Sequence, residues 1–206
     1  MRVDRKKLFT GLRGHFGPLD GIQVSVIGAV VDEFERRSLP DLRWLAYMLA
    51  TAKGECNFRP VRETGRGKGK KYGKPVNGKV YYGRGLVQLT WDYNYRKMGE
   101  VLNLPLLEDP DMALTVPVAV AIMFEGMVRG SFPGKKLADY FSAAADNPVG
   151  ARRIINGTDK ASQFAEWHRM ILAVLAVSRL AASPAPAPVA QDAPPERGPT
   201  STVAPA

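Results

Sequence analysis

Cysteine is nearly missing from this chain: Cys56 is the single one among 206 residues. No internal disulfide can form, and nothing in the composition calls for an oxidising compartment. Histidine is almost as scarce. His15 and His168 stand far from each other and from Cys56, so no zinc-ligand spacing exists and no metal or cofactor is expected. A thiol with no histidine near it in sequence reads as a packed side chain rather than a nucleophile. Long apolar runs are lacking too. Val24 to Val31 and Met170 to Val177 fall well short of a membrane span. The basic start (Arg2, Arg5, Lys6, Lys7) leads only into Leu8-Phe9-Thr10-Gly11-Leu12, too short and broken for a signal-peptide core. The expectation is therefore synthesis in the cytoplasm without a signal peptide, no transmembrane segment, and a monomer.

Acidic residues are in deficit as well. Against 29 Lys and Arg stand 20 Asp and Glu, a net charge of +9 with a pI near 9.8. Such a surface attracts polyanions. Nucleic acid, anionic lipid and bacterial wall polymers all qualify, and charge alone does not choose among them. The 45% hydrophobic fraction excludes a disordered chain and suits one globular domain.

What is present reads as mainly α-helical. Gly21 to Phe34 carries Ile22, Val26, Ile27, Val30 and Val31 on one face and ends near Arg36-Arg37. Asp41 to Ala52 follows, started by Pro40-Asp41. A third helix, capped by Thr90 with Asp92 in its first turn, runs to about Asn103. Pro117 opens an apolar helix to Val128. Asn147-Pro148 opens a short helix to Ile155, closed by Asn156-Gly157, and the last helix spans about Lys160 to Leu180. Residues 65 to 85, rich in Gly and Lys, are expected as an exposed loop with a short hairpin. The Pro/Ala alternation of residues 182–206 cannot bury a core and reads as a disordered tail on a domain of residues 1–181.

The chemistry is concentrated between Leu45 and Tyr95. Glu55 and Glu63 lie eight residues apart across a helix end, followed by the glycine-broken aromatic stretch Tyr81-Tyr82-Gly83-Arg84-Gly85 and by Gln88, Thr90, Trp91, Tyr93, Asn94 and Tyr95. Hydrolysis of a glycosidic bond uses two facing carboxyl groups, with aromatic and amide side chains holding the sugar. A helix C-terminus and core neighbours would favour a protonated Glu55, as a general acid requires, while Glu63 on a loop would activate water. The plainer alternatives are a Glu55 paired with Lys53 or Arg59 and a Glu63 paired with Arg62 or Arg66. Trp91 and Tyr95 read as core aromatics. The loop Gly65-Arg66-Gly67-Lys68-Gly69-Lys70-Lys71 lacks the pattern of a phosphate-binding loop. It reads first as a solvated basic loop, and no nucleic-acid-binding signature accompanies it.

Together, Leu45 to Ala52, Glu55, Pro60-Val61-Arg62-Glu63, Tyr82 to Trp91, Asn94-Tyr95 and Arg152 to Gly157 resemble glycoside hydrolase family 19, above all its compact bacterial and phage members, chitinases or endolysins. The resemblance covers roughly residues 5 to 180. It implies a lysozyme-like, two-lobed helical fold with a central cleft, and inverting hydrolysis of β-1,4 links next to N-acetylated amino sugars without metal or cofactor. Glu55 matches the general acid and Glu63 the second carboxylate. Gln88, Thr90, Tyr93 and Asn94 match substrate-binding and water-positioning sites, Asn156 matches a cleft position, and Tyr82 and Arg84 join the substrate-binding set. One departure stands out: the family has His-Glu-Thr around the acid, and this chain has Gly54-Glu55-Cys56. Chitin is uncharged and gives no reason for a charge of +9. The expected substrate is therefore peptidoglycan, attacked by a phage-type lysis enzyme after its release. Chitin is the alternative. A wall-binding module with weakened catalysis is the rival from another class.

Overall fold

The computed structural model describes residues 1–180. The Pro/Ala tail expected from residue 182, and the domain boundary before it, lie outside the described residues. Strand β1 (Arg2–Val3) opens the chain, and Asp4 caps α1 (Arg5–Phe16) by accepting the Lys7 N–H at 3.1 Å. The broken-looking stretch Leu8–Leu12 is the middle of this helix, a helix absent from the sequence expectation. Its Gly11 is a point of contact rather than a break. A Cβ there would lie 2.6 Å from Val174, so glycine lets α1 press against the last helix.

Helix α2 (Gly21–Arg36) starts with a reciprocal capping box between Asp20 and Gln23. Val26, Ile27, Val30 and Val31 are buried as expected. Ile22 is not: it is 54% exposed, and Gln23 takes the inward place at that end. The Gln23 side chain closes the box and donates to the Asn57 carbonyl at 3.1 Å, a polar demand that outranks burying an isoleucine. Helix α3 (Leu42–Cys56) is the central element, with every residue from Leu45 to Ala52 buried. It runs one turn past the expected end before Asn57 closes it at φ 50°. That extra turn carries Glu55.

Strand β2 (Val61–Arg62) pairs antiparallel with β3 (Arg84–Gly85). Between them, the turn Asn77-Gly78 has both φ values positive (50° and 75°) and joins Val76 to Lys79, the geometry that Asn-Gly favours in a two-residue hairpin. The expected exposed segment ends near Lys79. Tyr81 through Val87 are buried, because β3 and its flanks lie under the site. Helix α4 (Asp92–Leu102) has no side-chain cap. Trp91 occupies that position at φ 73°, and Thr90 does not cap it. Helix α5 (Val116–Arg129) has Pro117 in its first turn and is buried from Ile122 to Met127. Strands β4 (Phe141–Ser142) and β5 (Ala145–Asp146) form a small hairpin. The expected helix after Asn147 is a 3-10 turn, Gly150–Ile154, held by Asn147 Oδ1 accepting the Gly150 N–H at 2.7 Å. Helix α6 (Ala161–Ser178) packs along α3 and α1. Strand β6 (Arg179–Leu180) then pairs with β1. No helix among the described residues is long and apolar enough to cross a membrane.

Candidate active site

Glu55 sits in the last turn of α3 with 13% of its side chain exposed, and Arg152 Nη1 lies 2.6 Å from its Oε1. The contact is an ion pair whose N–H is not aligned as a hydrogen bond. Arg152 is itself buried. Its Nε donates to the Asp159 carbonyl at 2.9 Å, and its guanidinium carbon lies 4.0 Å from the centre of the Phe164 ring. The surroundings expected for Glu55 were apolar core. Instead a buried cation, supplied from far along the chain, fixes the direction of the carboxyl group. Neither expected surface partner reaches it: Lys53 bonds Asn57, and Arg59 pairs with Asp20.

Phe164 also accounts for Gly54. A Cβ added at position 54 would run into the tip of that ring. The ring from α6 therefore fills the space that a side chain beside Glu55 would need, and it presses Arg152 towards the carboxylate. Cys56 is packed. Its thiol donates to the carbonyls of Ala52 (3.2 Å) and Leu86 (3.7 Å), and burial pushes its pKa up to about 12, which removes the thiolate as a nucleophile.

Glu63 follows β2 and is half-buried. Tyr72 donates its hydroxyl to Oε1 at 2.7 Å, and the Gly83 N–H donates to Oε2 at 3.1 Å. The bond to Glu63, helped by desolvation, raises the Tyr72 pKa to about 12, so this donor keeps its proton at neutral pH. The expected arginine pairs are absent: Arg62 pairs with Asp111 at 2.7 Å, and Arg66 meets Glu63 only through its backbone N–H, which donates to the Glu63 carbonyl at 3.0 Å. Gly83 is required here, since a Cβ would stand 2.8 Å from Gln88 Oε1 and 3.3 Å from Glu63 Cβ. Through that gap the Gln88 amide lies beside Glu63. Its Nε2 donates to the carbonyls of Val61 and Gly85, at 3.2 and 3.1 Å, which turns Oε1 towards Gly83.

Arg84 is not on the surface, where a substrate contact would place it. It is 5% exposed. Its Nε donates to Asp111 at 2.7 Å, and Nη1 donates to Val80, Tyr82 and the Tyr95 hydroxyl. Tyr82 is buried under it, with the ring centre 3.6 Å from the guanidinium carbon. Burial pulls the Asp111 pKa up, but Arg62 and Arg84 outweigh it and hold that carboxyl below its usual range. Arg84, Tyr82 and Asp111 thus form the underside of the loop that presents Gly83 and Gln88.

At the start of α4, Asn94 donates to the Thr90 carbonyl at 2.9 Å, and both residues are half-buried. Tyr93 is 57% exposed. Trp91 stacks on Tyr93 with centroids 5.8 Å apart, and meets Tyr72 edge-on at 5.4 Å. Trp91 is therefore the middle of an aromatic row, Tyr93–Trp91–Tyr72, that ends on Glu63, and not the core residue expected; Tyr95 is fully buried, as expected. Asn156 is exposed and donates its backbone N–H to the Arg152 carbonyl, so it shares a turn with the partner of Glu55. Sequence reasoning missed Tyr72, Arg152 and Phe164. Only Arg152 carried a signal, inside the family-like stretch Arg152 to Gly157. Among the described residues no cluster of His, Cys, Asp or Glu side chains is placed to hold a metal ion. A hollow of about 440 Å³ beside Tyr95, Gly99 and Leu107 contains neither carboxylate.

Residues 51–129 match the family model of class I chitinases, glycoside hydrolase family 19, a span that contains both carboxylates. An endochitinase of Arabidopsis thaliana is 60% identical over 82 residues, 36% of this chain and 28% of that protein. The chain thus spans little more than a quarter of the length of that curated relative. Chitinase C of Streptomyces griseus superposes with a TM-score of 0.54 at 16% identity, over 84% of this chain and 76% of that one. A bacterial family 19 chitinase gives 0.51 at 20% identity, over 82% and 94%. Residues 51–129 are thus similar to glycoside hydrolase family 19, and the described chain has the mainly helical fold seen in family 19 chitinases.

Proposed function

We propose that this chain is a glycosidase that hydrolyses β-1,4 links in polymers of N-acetylated amino sugars, with inversion. The carrying observation is that two half-buried carboxylates within one family 19 segment are each fixed by a partner from another part of the fold, Glu55 by Arg152 and Glu63 by Tyr72 and Gly83. Glu55 gives its proton to the departing glycosidic oxygen. Glu63, with Gln88 beside it, orients a water on the opposite face of the sugar and accepts its proton. The row Tyr93–Trp91–Tyr72 offers ring faces to pyranoses on the Glu63 side, and Asn156 offers an amide on the Arg152 side.

The relatives are named as chitinases, so a chitin-type chain of N-acetylglucosamine takes first place as substrate. Peptidoglycan, which contains the same sugar in a charged strand, is the second reading. The net charge of +9 favours it. The experiment is parallel digestion of chitin oligosaccharides and purified peptidoglycan, with products identified by mass spectrometry. New reducing ends from either substrate, reduced roughly 100- to 10,000-fold in Glu55→Gln, support the reading and assign the bond. Products that persist unchanged in Glu55→Gln, or no products from either polymer, overturn it in favour of a binding module.

A further inference from the structure

We propose that the loop 65–79 is a docking rim for the carboxylates of a charged glycan strand, which lets the site hold peptidoglycan as well as chitin; the inference rests on the glycosidase reading above. This loop contains Arg66, Lys68, Lys70, Lys71, Lys74 and Lys79 and no Asp or Glu. All six cations are exposed, and among the described residues none takes part in an ion pair. Other cations, such as Lys6, Lys7, Arg13 and Arg169, are also outside any ion pair among the described residues; what sets this loop apart is six cations within one segment that has no carboxylate of its own.

The loop is not a free flap. Gly65, Arg66, Gly67 and Gly69 all have positive φ, and they curl the backbone through successive turns closed by Lys68→Gly65 and Lys70→Gly67 hydrogen bonds of 2.9 Å. Gly67 is buried against Gly73, Tyr72 and Tyr82, where a side chain would collide. The Tyr72 hydroxyl then ties the whole loop to Glu63. Like charges held this close repel one another and raise the local potential. With no counter-charge within the loop itself, that potential acts on whatever lies beside Glu63. The carboxylates near the loop gather at its base, Asp109 and Asp111 by Arg66 and Lys79, Asp92 and Glu108 by Lys79, which leaves Lys68, Lys70, Lys71 and Lys74 as the active part.

The geometry favours a glycan over nucleic acid. A continuous phosphate backbone reaching these lysines would have to pass the Glu63 carboxylate. A strand of neutral sugar rings with carboxylates at intervals sets a ring over Glu63 and the aromatic row, and an anion over the lysines.

Binding is measured on the Glu55→Gln chain, which needs no turnover, so failure here is separate from failure of the hydrolysis test. The probes are peptidoglycan sacculi stripped of teichoic acid, the same sacculi with it, colloidal chitin and duplex DNA, each over a salt series. The loop variant Lys68→Gln/Lys70→Gln/Lys71→Gln/Lys74→Gln is compared with Lys6→Gln/Lys7→Gln/Arg13→Gln/Arg169→Gln, which removes equal charge from α1 and α6. Thermal melts verify that both fold. The expected result is a loss on the order of tenfold on stripped sacculi for the loop variant alone, fading at high salt, with chitin binding little changed. Equal losses in the two variants overturn the proposal, as does a loss on chitin as large as on sacculi. A loss confined to teichoic-acid-bearing sacculi or to DNA assigns the loop to phosphate polymers and overturns it equally.

Discussion

The two carboxylates are held in opposite ways. Glu55 belongs to the helical interior: a buried guanidinium faces it, an aromatic ring backs that guanidinium, and four elements (α3, the 3-10 turn, the loop after it and α6) must be in register for the contact to exist. Glu63 belongs to a loop, and its partners are a phenol and a backbone N–H, both neutral. Packing fixes the first group, and glycine-shaped backbone fixes the second. Damage to the core should therefore act through Glu55, and loop changes should act through Glu63 with little cost in stability.

Gly54→Ala strikes the Glu55 half directly. Alanine is the better helix former by about 1 kcal/mol. The added methyl nevertheless meets the Phe164 ring, and overpacking of this kind costs about 1–3 kcal/mol. Thermal unfolding of Gly54→Ala, Phe164→Ala and the double variant should show the alanine at 54 harmful alone and tolerated once the ring is gone. Additive effects would separate Phe164 from the Glu55 side and break the contrast.

Acid should weaken the same half. His168 packs between Tyr47 and Phe141, and burial is the main cause that lowers its pKa to about 4 from 6.5; Asp146 and the Arg43 backbone pull it up, while Arg169 and Arg43 push it further down. The folded state keeps this ring neutral, whereas the unfolded chain protonates it near pH 6.5. The stability at stake is fully present above that pH and is lost as pH falls towards 4, on the order of 3 kcal/mol. In His168→Phe, denaturant midpoints measured from pH 7 to 4 should lose most of that slope. An unchanged slope would move the acid sensitivity elsewhere.

Tyr72→Phe is the mildest test. Losing one hydrogen bond to Glu63 should lower kcat about fivefold. KM should move less, and the melting temperature should stay near that of the parent. A kcat equal to the parent would mean that Gly83 and Gln88 hold Glu63 unaided.

The same contrast explains what the sequence disclosed. Asp41 and Pro117 marked helix starts because caps and first turns are local chemistry, and the apolar spacing up to Ala52 announced a helix. Gly11 hid α1, since a glycine that permits close packing looks like one that breaks a helix. Gly83 and Gln88 stand in the same Leu45–Tyr95 stretch as Glu63, which made the grouping legible. The partner of Glu55 was not, because Arg152 reaches it only after α4, α5 and a hairpin have been placed, and no local pattern encodes that distance. The odd Gly54 likewise had no explanation until Phe164 could be seen above it.

The clasp between Arg2–Val3 and Arg179–Leu180 closes the described chain into a ring. Residues 2 and 180 therefore lie side by side. Cutting the ring at the exposed Asn77-Gly78 turn and sewing residue 180 to residue 2 through a short linker should give a circular permutant with the same interior. In that permutant Arg152 would still face Glu55 and Gly83 would still hold Glu63, while the lysine rim and Tyr72 would lie next to a free chain end.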